Sequence, residues 1–201
     1  MIKTIIFDLG NVIVNVDKTE QFKRLASDSN KSIFQIKRLF DELPIISFRK
    51  SFERGELKPK QFYGAIATEL SLKMNFDEFK DVWCDIFTLN KDVEILIRKL
   101  KKDFRLILLS NTDMLHFEYI KKRYKIIYTF DEWILSYLVG YRKPNPLIFF
   151  SALKKAKTLP YNCAYIDDIP EFVCVARLMG IKSFHYKNFQ KLLEDLHDTI
   201  T

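Results

Sequence analysis

Ile5-Ile6-Phe7-Asp8-Leu9-Gly10-Asn11-Val12-Ile13-Val14 is the stretch on which the fold turns. An apolar run that breaks into a carboxylate and then a glycine has the pattern of a strand buried on both faces, with Asp8 at its end. Parallel sheets collect ligands just beyond the carboxyl ends of their strands, so Asp8 stands where a functional group would stand. An Asp in that place can equally cap a following helix, and the remaining strand ends have to decide between the two.

Downstream of about Asp17 the pattern becomes helical, with apolar residues three and four apart in Phe22 and Leu25 and again in Ile33, Ile36, Leu39 and Phe40. Asp28-Ser29-Asn30, Leu43-Pro44 and Arg54-Gly55-Glu56 with Pro59 break this region into about four helices, the last two near Pro59 to Leu70 and Asp77 to Phe87. From Lys91 helix and strand alternate: a helix near Asp92 to Lys101, the strand Leu106-Ile107-Leu108-Leu109, and Ser110-Asn111-Thr112-Asp113 opening the next helix. Strands near Trp133 to Ser136, Cys163 to Ile166 and Ile181 to His185 follow, with Asn145-Pro146 opening one helix and Gly180 closing another. Such an order predicts an α/β chain with a parallel sheet, and a helical subdomain inserted after the first strand. The core would comprise residues 1–16 and 89–201, and the insertion residues 17–88.

Composition narrows the class. With 48% apolar residues the chain can bury a sizeable core, and only 5 Gly and 6 Pro among 201 residues argue against disorder. Cys84, Cys163 and Cys174 have no metal or disulfide spacing and read as reduced thiols. Asp8 interrupts the one N-terminal apolar run that could serve as a signal peptide, and no stretch reaches membrane-spanning length, so a cytoplasmic protein without membrane contact is expected. The net charge of +7 is spread through helical patterns beside acidic residues, and no zinc-finger spacing or aromatic RNA-binding signature accompanies it. No nucleic acid partner is expected, and nothing in the sequence sets the oligomeric state.

Three strand ends carry polar groups: Asp8, Ser110 with Asn111, and Asp167 with Asp168, while Lys143 lies in the loop before the Asn145 helix. In a parallel sheet these ends share one face. Carboxylates gathered there need cations, and oxygen-only ligation suits magnesium together with a substrate phosphate. Asp8 is then a candidate carboxylate nucleophile, with Lys143 neutralising charge and Ser110 hydrogen-bonding phosphate oxygens. His116, His185 and His197 have no partner at a diagnostic spacing and are read as structural or surface residues.

FDLGNVIV at Phe7, LLSNT at Leu108, GYRKPNPLIF at Gly140 and YIDD at Tyr165 resemble, in order and spacing, the four motifs of haloacid dehalogenase superfamily hydrolases, in the branch whose first motif reads DLGNVI. The resemblance implies a Rossmann-like doubly wound core with an inserted helical-bundle cap, and phosphatase activity on a small phosphate ester, of which a sugar phosphate is one candidate, through an aspartyl phosphate. It implies Asp8 as nucleophile and metal ligand, the Gly10 carbonyl, Asp168 and Asp167 at magnesium, and Ser110, Asn111 and Lys143 at the phosphoryl group. Arg49 or Arg54, near the cap turn, would reach the rest of the substrate. Two departures stand out. Gly10 replaces the Asp that in most phosphatases of the superfamily protonates the leaving oxygen, a contribution of about 10² to 10⁴ in rate. Phe172 replaces a polar residue that supports the metal, a loss commonly worth about 10 to 100-fold. Carbon-halogen hydrolysis through Asp8 and a non-catalytic phosphate-binding protein are the alternatives.

Overall fold

The computed structural model describes residues 1–200; Thr201, the last residue of the expected core segment, lies outside the described residues. In chain order, β1 (Thr4–Phe7) and β2 (Val14–Val16) precede five helices: α1 (Thr19–Ser29), α2 (Ile33–Asp41), α3 (Ile45–Glu53), α4 (Pro59–Leu70) and α5 (Phe76–Cys84). Next come β3 (Phe87–Leu89), α6 (Lys91–Leu100), β4 (Arg105–Ser110), α7 (Met114–Arg123), β5 (Glu132–Leu135), the one-turn α8 (Ser136–Val139) and α9 (Pro146–Ala156). The chain closes with β6 (Cys163–Asp167), α10 (Pro170–Leu178), β7 (Lys182–His185) and α11 (Phe189–Ile200).

The main sheet is parallel throughout, in the order β5-β4-β1-β6-β7. Its strands are continuous apolar runs because helices cover both faces. Ile5, Phe7, Leu106, Leu108, Ala164 and Ile166 point into one layer with residues of α6 and α11. The alternate residues Ile6, Ile107, Leu109 and Tyr165 pack with Ile148, Phe149 and Ala152 of α9 and Phe172 and Ala176 of α10. This is the Rossmann-like α/β architecture expected from the sequence. Register places the polar ends together: Phe7 pairs with Leu108 on one side and Ile166 on the other, so Asp8 comes level with Leu109 and Asp167.

Between β1 and β4 the helices α1 to α5 build their own core from Leu25, Ile36, Phe40, Phe52, Phe62, Ile66, Phe79 and Trp83. Burial of side chains of this size is worth about 1.5 to 3 kcal/mol each. Two ends are set by capping boxes, Ser32 with Gln35 and Asn75 with Glu78, and α4 starts on Pro59. The sequence reading counted about four helices here. The structure has five, because Ile45 to Glu53 forms α3 between the breaks at Pro44 and Gly55. The helix expected to run to Phe87 stops at Cys84, and Phe87 instead starts β3, whose antiparallel pairing with β2 ties the two ends of the helical segment. No helix among the described residues is long and apolar enough to cross a membrane.

Candidate active site

Asp8 leaves β1 with its backbone N–H donating to the Ile166 carbonyl at 2.9 Å, which fixes its side chain beside the end of β6. Lys143, reaching in from the loop between α8 and α9, is 2% exposed, and its Nζ donates to Asp8 Oδ1 at 2.6 Å, Asp167 Oδ2 at 2.6 Å and the Leu109 carbonyl at 3.2 Å. Its three donors are thereby spent on the ends of the three central strands. Burial opposes charge on Lys143, yet the Asp8 and Asp167 carboxylates outweigh it and raise its pKa. For Asp8 the balance falls the other way. Burial pushes its pKa up to about 7, helped by Asp167 and opposed by Lys143. A second cation is what this pair of acids lacks.

Asp167 is fully engaged. Its Oδ1 accepts the Ile169 N–H at 2.8 Å, and its Oδ2 accepts both Lys143 and the buried Tyr165 hydroxyl. Asp168 is half-exposed and accepts Asn11 Nδ2 at 3.0 Å. Oxygens of Asp8, Asp167 and Asp168 lie within 4.8 Å of one another, the one group of three or more possible metal-ligating side chains among the described residues. Oxygen donors at that spacing fit a hard divalent cation. Gly10 follows at once, and a Cβ added there would meet only Val16 Cγ2, at 3.8 Å.

Ser110 ends β4, buried, with no side-chain hydrogen bond among the described residues. Asn111 uses its side chain on the backbone of Lys143, accepting its N–H at 2.7 Å and donating to its carbonyl at 2.9 Å. Thr112 and Ser136 exchange hydrogen bonds of 3.0 and 2.9 Å and lock the β4 end to α8. Phe172, flagged by sequence as a missing polar support, sits with its ring centroid 5.2 Å from Lys143 Nζ, and the Tyr165 ring lies 5.8 Å away. The lysine ammonium is thus held by aromatic faces as well as carboxylates.

Above these strand ends a cavity of about 140 Å³ opens under the helical segment. Gly10, Ser110, Asn111 and Thr112 form its floor, and Lys18, Phe40, Arg49, Glu53, Trp83 and His116 line its walls. Arg49 stacks on Phe40 at 5.8 Å and donates to its carbonyl. The Lys18 ammonium has no hydrogen bond or ion pair among the described residues, and burial together with Arg49 lowers its pKa. Glu53 is paired with Arg142, joining α3 to the Lys143 loop. The turn after α3 also seats on the core at Gly55, where an added Cβ would fall 2.2 Å from the Tyr137 carbonyl oxygen.

The structure therefore brings Asp8, Gly10, Ser110, Asn111, Lys143, Asp167 and Asp168 to one place. Of the two arginines considered near the cap turn, Arg49 lines the cavity while Arg54 pairs with Glu56. Asn11, Lys18 and Tyr165 escaped the sequence reading, and His116, read there as structural or surface and without a partner, pairs with Asp113 at the cavity wall. For His116 a signal existed, since Asp113 precedes it by one helical turn. For Lys18 none did, because its neighbours are contributed by α3.

A strand-end carboxylate clamped by a buried lysine, with a hydroxyl and two further acids around it, makes this face of the α/β sheet the candidate catalytic centre. The comparisons with known proteins give it a family: residues 2–171 match the haloacid dehalogenase-like hydrolases, and the chain belongs to that family. A curated relative, D-ribitol-5-phosphate phosphatase of Bacteroides thetaiotaomicron, is 26% identical over 206 residues, covering 94% of this chain and 93% of the relative. A haloacid dehalogenase family enzyme of the same organism superposes with a TM-score of 0.87 at 23% identity, covering 96% of this chain and 98% of the other. A structure of such an enzyme in complex with magnesium and inorganic phosphate gives 0.80 at 24% identity, over 93% and 95%.

Proposed function

We propose that this hydrolase is a magnesium-dependent phosphatase that cleaves a small phosphorylated metabolite of the sugar or polyol phosphate type, with Asp8 as nucleophile. The observation that carries the reading is Lys143 Nζ at 2.6 Å from both Asp8 and Asp167, beneath a cavity floored by Ser110. The likeness to a D-ribitol-5-phosphate phosphatase supports the substrate class.

Asp8, Asp168 and the Gly10 carbonyl would hold the magnesium, with Asp167 completing the negative cradle. When bound, the ion supplies positive charge against the phosphate oxygens and the two acids. Lys143 favours the ionised form of Asp8 against burial and fixes its Oδ1 by a hydrogen bond, and its ammonium answers the charge that grows on the transferring group. Ser110 Oγ and the Asn111 backbone hydrogen-bond the phosphate oxygens, while the Asn111 side chain keeps the Lys143 loop in register. Asp8 Oδ attacks phosphorus and the ester oxygen leaves; water then attacks the aspartyl phosphate, freeing phosphate and restoring Asp8. With Gly10 in place of an acid, the leaving oxygen takes its proton from water. Residues 17–88 act as a cap, with Lys18, Arg49 and Glu53 presenting polar groups to the hydroxylated body of the substrate.

A panel of phosphorylated sugars and polyols, assayed for phosphate release with magnesium and with Asp8→Asn as the blank, tests this. Turnover that needs magnesium and falls at least about 10⁴-fold in Asp8→Asn is expected. Hydrolysis of chloroacetate without metal, or equal phosphate release by Asp8→Asn, would contradict it.

A further inference from the structure

His116 sits in the first turn of α7, one turn beyond the phosphate-binding end of β4, and both of its ring nitrogens face oxygen. Nδ1 is 2.9 Å from Asp113 Oδ2, and Nε2 is 2.9 Å from the backbone carbonyl of Trp83 in α5. A carbonyl only accepts. Asp113, 2% exposed, also accepts the His116 backbone N–H at 2.9 Å and Trp83 Nε1 at 3.2 Å, so it too acts as an acceptor throughout. Neutral imidazole has a single N–H and would turn a lone pair toward one of the two oxygens; the imidazolium satisfies both.

We propose that His116 is held as an imidazolium that clasps the helical segment to the sheet, making it a positioning residue that fixes Trp83 in the wall of the cavity. The chemical role assigned to this wall rests on the phosphatase reading; the clasp itself does not. The ring lies flat on the Trp83 indole, with centroids 5.0 Å apart and planes 2° from parallel, and the Phe87 ring meets it edge-on at 4.9 Å. A cation is the form that gains most from an indole face. Trp83 in turn contacts Phe40, Phe62 and Phe79, at the centre of the helical segment's core, so a shift of His116 is passed to the whole segment. Because both nitrogens are committed, His116 is not the acid that Gly10 fails to provide.

The positive end of α7 opposes a cation at this place, and Asp113 at its N-cap offsets that opposition. Asp113 accordingly keeps a lowered pKa, burial opposing and His116 overcoming it. Facing the pair are Cys84 from α5 and Tyr137 from α8, each pushed up to about 12 chiefly by burial, and Lys18 and Arg49 line the same cavity. Cys84 and Tyr137 stay neutral through the physiological range, which leaves Asp113 as the anion that faces the imidazolium.

The chain has three histidines, so their ring ¹⁵N resonances can be assigned by comparison with His116→Gln. At pH 7.5 both His116 ring nitrogens are expected to carry protons, as their two acceptor partners require. A neutral tautomer at pH 7.5 would overturn the proposal, whether or not any phosphate ester is hydrolysed. In a Trp133→Phe background, Trp83 emission is expected to rise as His116 loses its proton, since an imidazolium quenches a stacked indole more than imidazole does; a flat profile from pH 5 to 10 counts against it. Kinetically, His116→Gln should raise KM for the sugar phosphate about tenfold, the worth of one charged hydrogen bond, and lower kcat by less. A loss confined to kcat would refute the positioning role. If His116→Gln fails to fold, His185→Gln and His197→Gln assign the other two histidines and leave the His116 resonances to decide.

Discussion

The floor and the walls of the cavity are built on different principles. On the floor the acids and Ser110 are delivered by strand ends of one parallel sheet, and Lys143, from the loop between α8 and α9, neutralises the acids across β1 and β6. The walls come from helices and are held by aromatic stacking and a few ion pairs, with the Lys18 ammonium left without a partner among the described residues. The floor is over-determined, as a site for bond-breaking must be, whereas the walls leave polar groups to be satisfied by whatever enters. In the proposed mechanism chemistry and selection lie on separate parts of the molecule, and mutations on the two sides should divide along that line.

Removing the lysine clamp tests the floor most severely after Asp8 itself. Lys143→Met leaves two buried acids facing each other, and it should cut kcat about 10² to 10³-fold and lower stability by about 3 to 5 kcal/mol, read by steady-state kinetics and denaturant unfolding. An active, stable Lys143→Met would dissolve the distinction. A gain is expected at Gly10, where an added Cβ meets nothing closer than 3.8 Å. Gly10→Asp should accelerate alkyl phosphates by about 10²-fold or more and aryl phosphates, whose leaving groups need no proton, much less. Equal effects on both would show that leaving-group protonation is not the step the glycine sacrifices. The walls should respond more gently. Arg49→Met and Lys18→Met are each expected to lower kcat/KM for the metabolite about tenfold while changing turnover of p-nitrophenyl phosphate little, because the small aryl ester makes few wall contacts.

The same division governed what could be read from sequence. Strand ends were legible because a buried parallel strand is a continuous apolar run and its carboxyl end is marked by the first polar residue, as at Asp8, Ser110 and Asp167. Lys143 was legible through its place in GYRKPNP. The partners that complete the floor were not: nothing in a single sequence pairs Asn11 with Asp168 or aims the Tyr165 hydroxyl at Asp167. Phe172 looked like a loss because spacing shows which polar group is absent and not which cation a ring will face. In the helical segment the periodicity marked the breaks at Pro44 and Gly55 but left the stretch between them without a helix, and the convergence of Lys18, Arg49 and Trp83 on one cavity depends on helix packing angles that periodicity does not encode.

The claim on which the account rests is that Asp8 is the group that attacks phosphorus. Beryllium fluoride, which mimics a phosphoryl group on a carboxylate, reports this directly by ¹⁹F NMR. With magnesium present, the wild-type protein is expected to form one bound species that disappears in Asp8→Asn and is chased by inorganic phosphate. A wild-type protein that stays free of adduct at saturating beryllium fluoride, or an adduct that persists in Asp8→Asn, would contradict it.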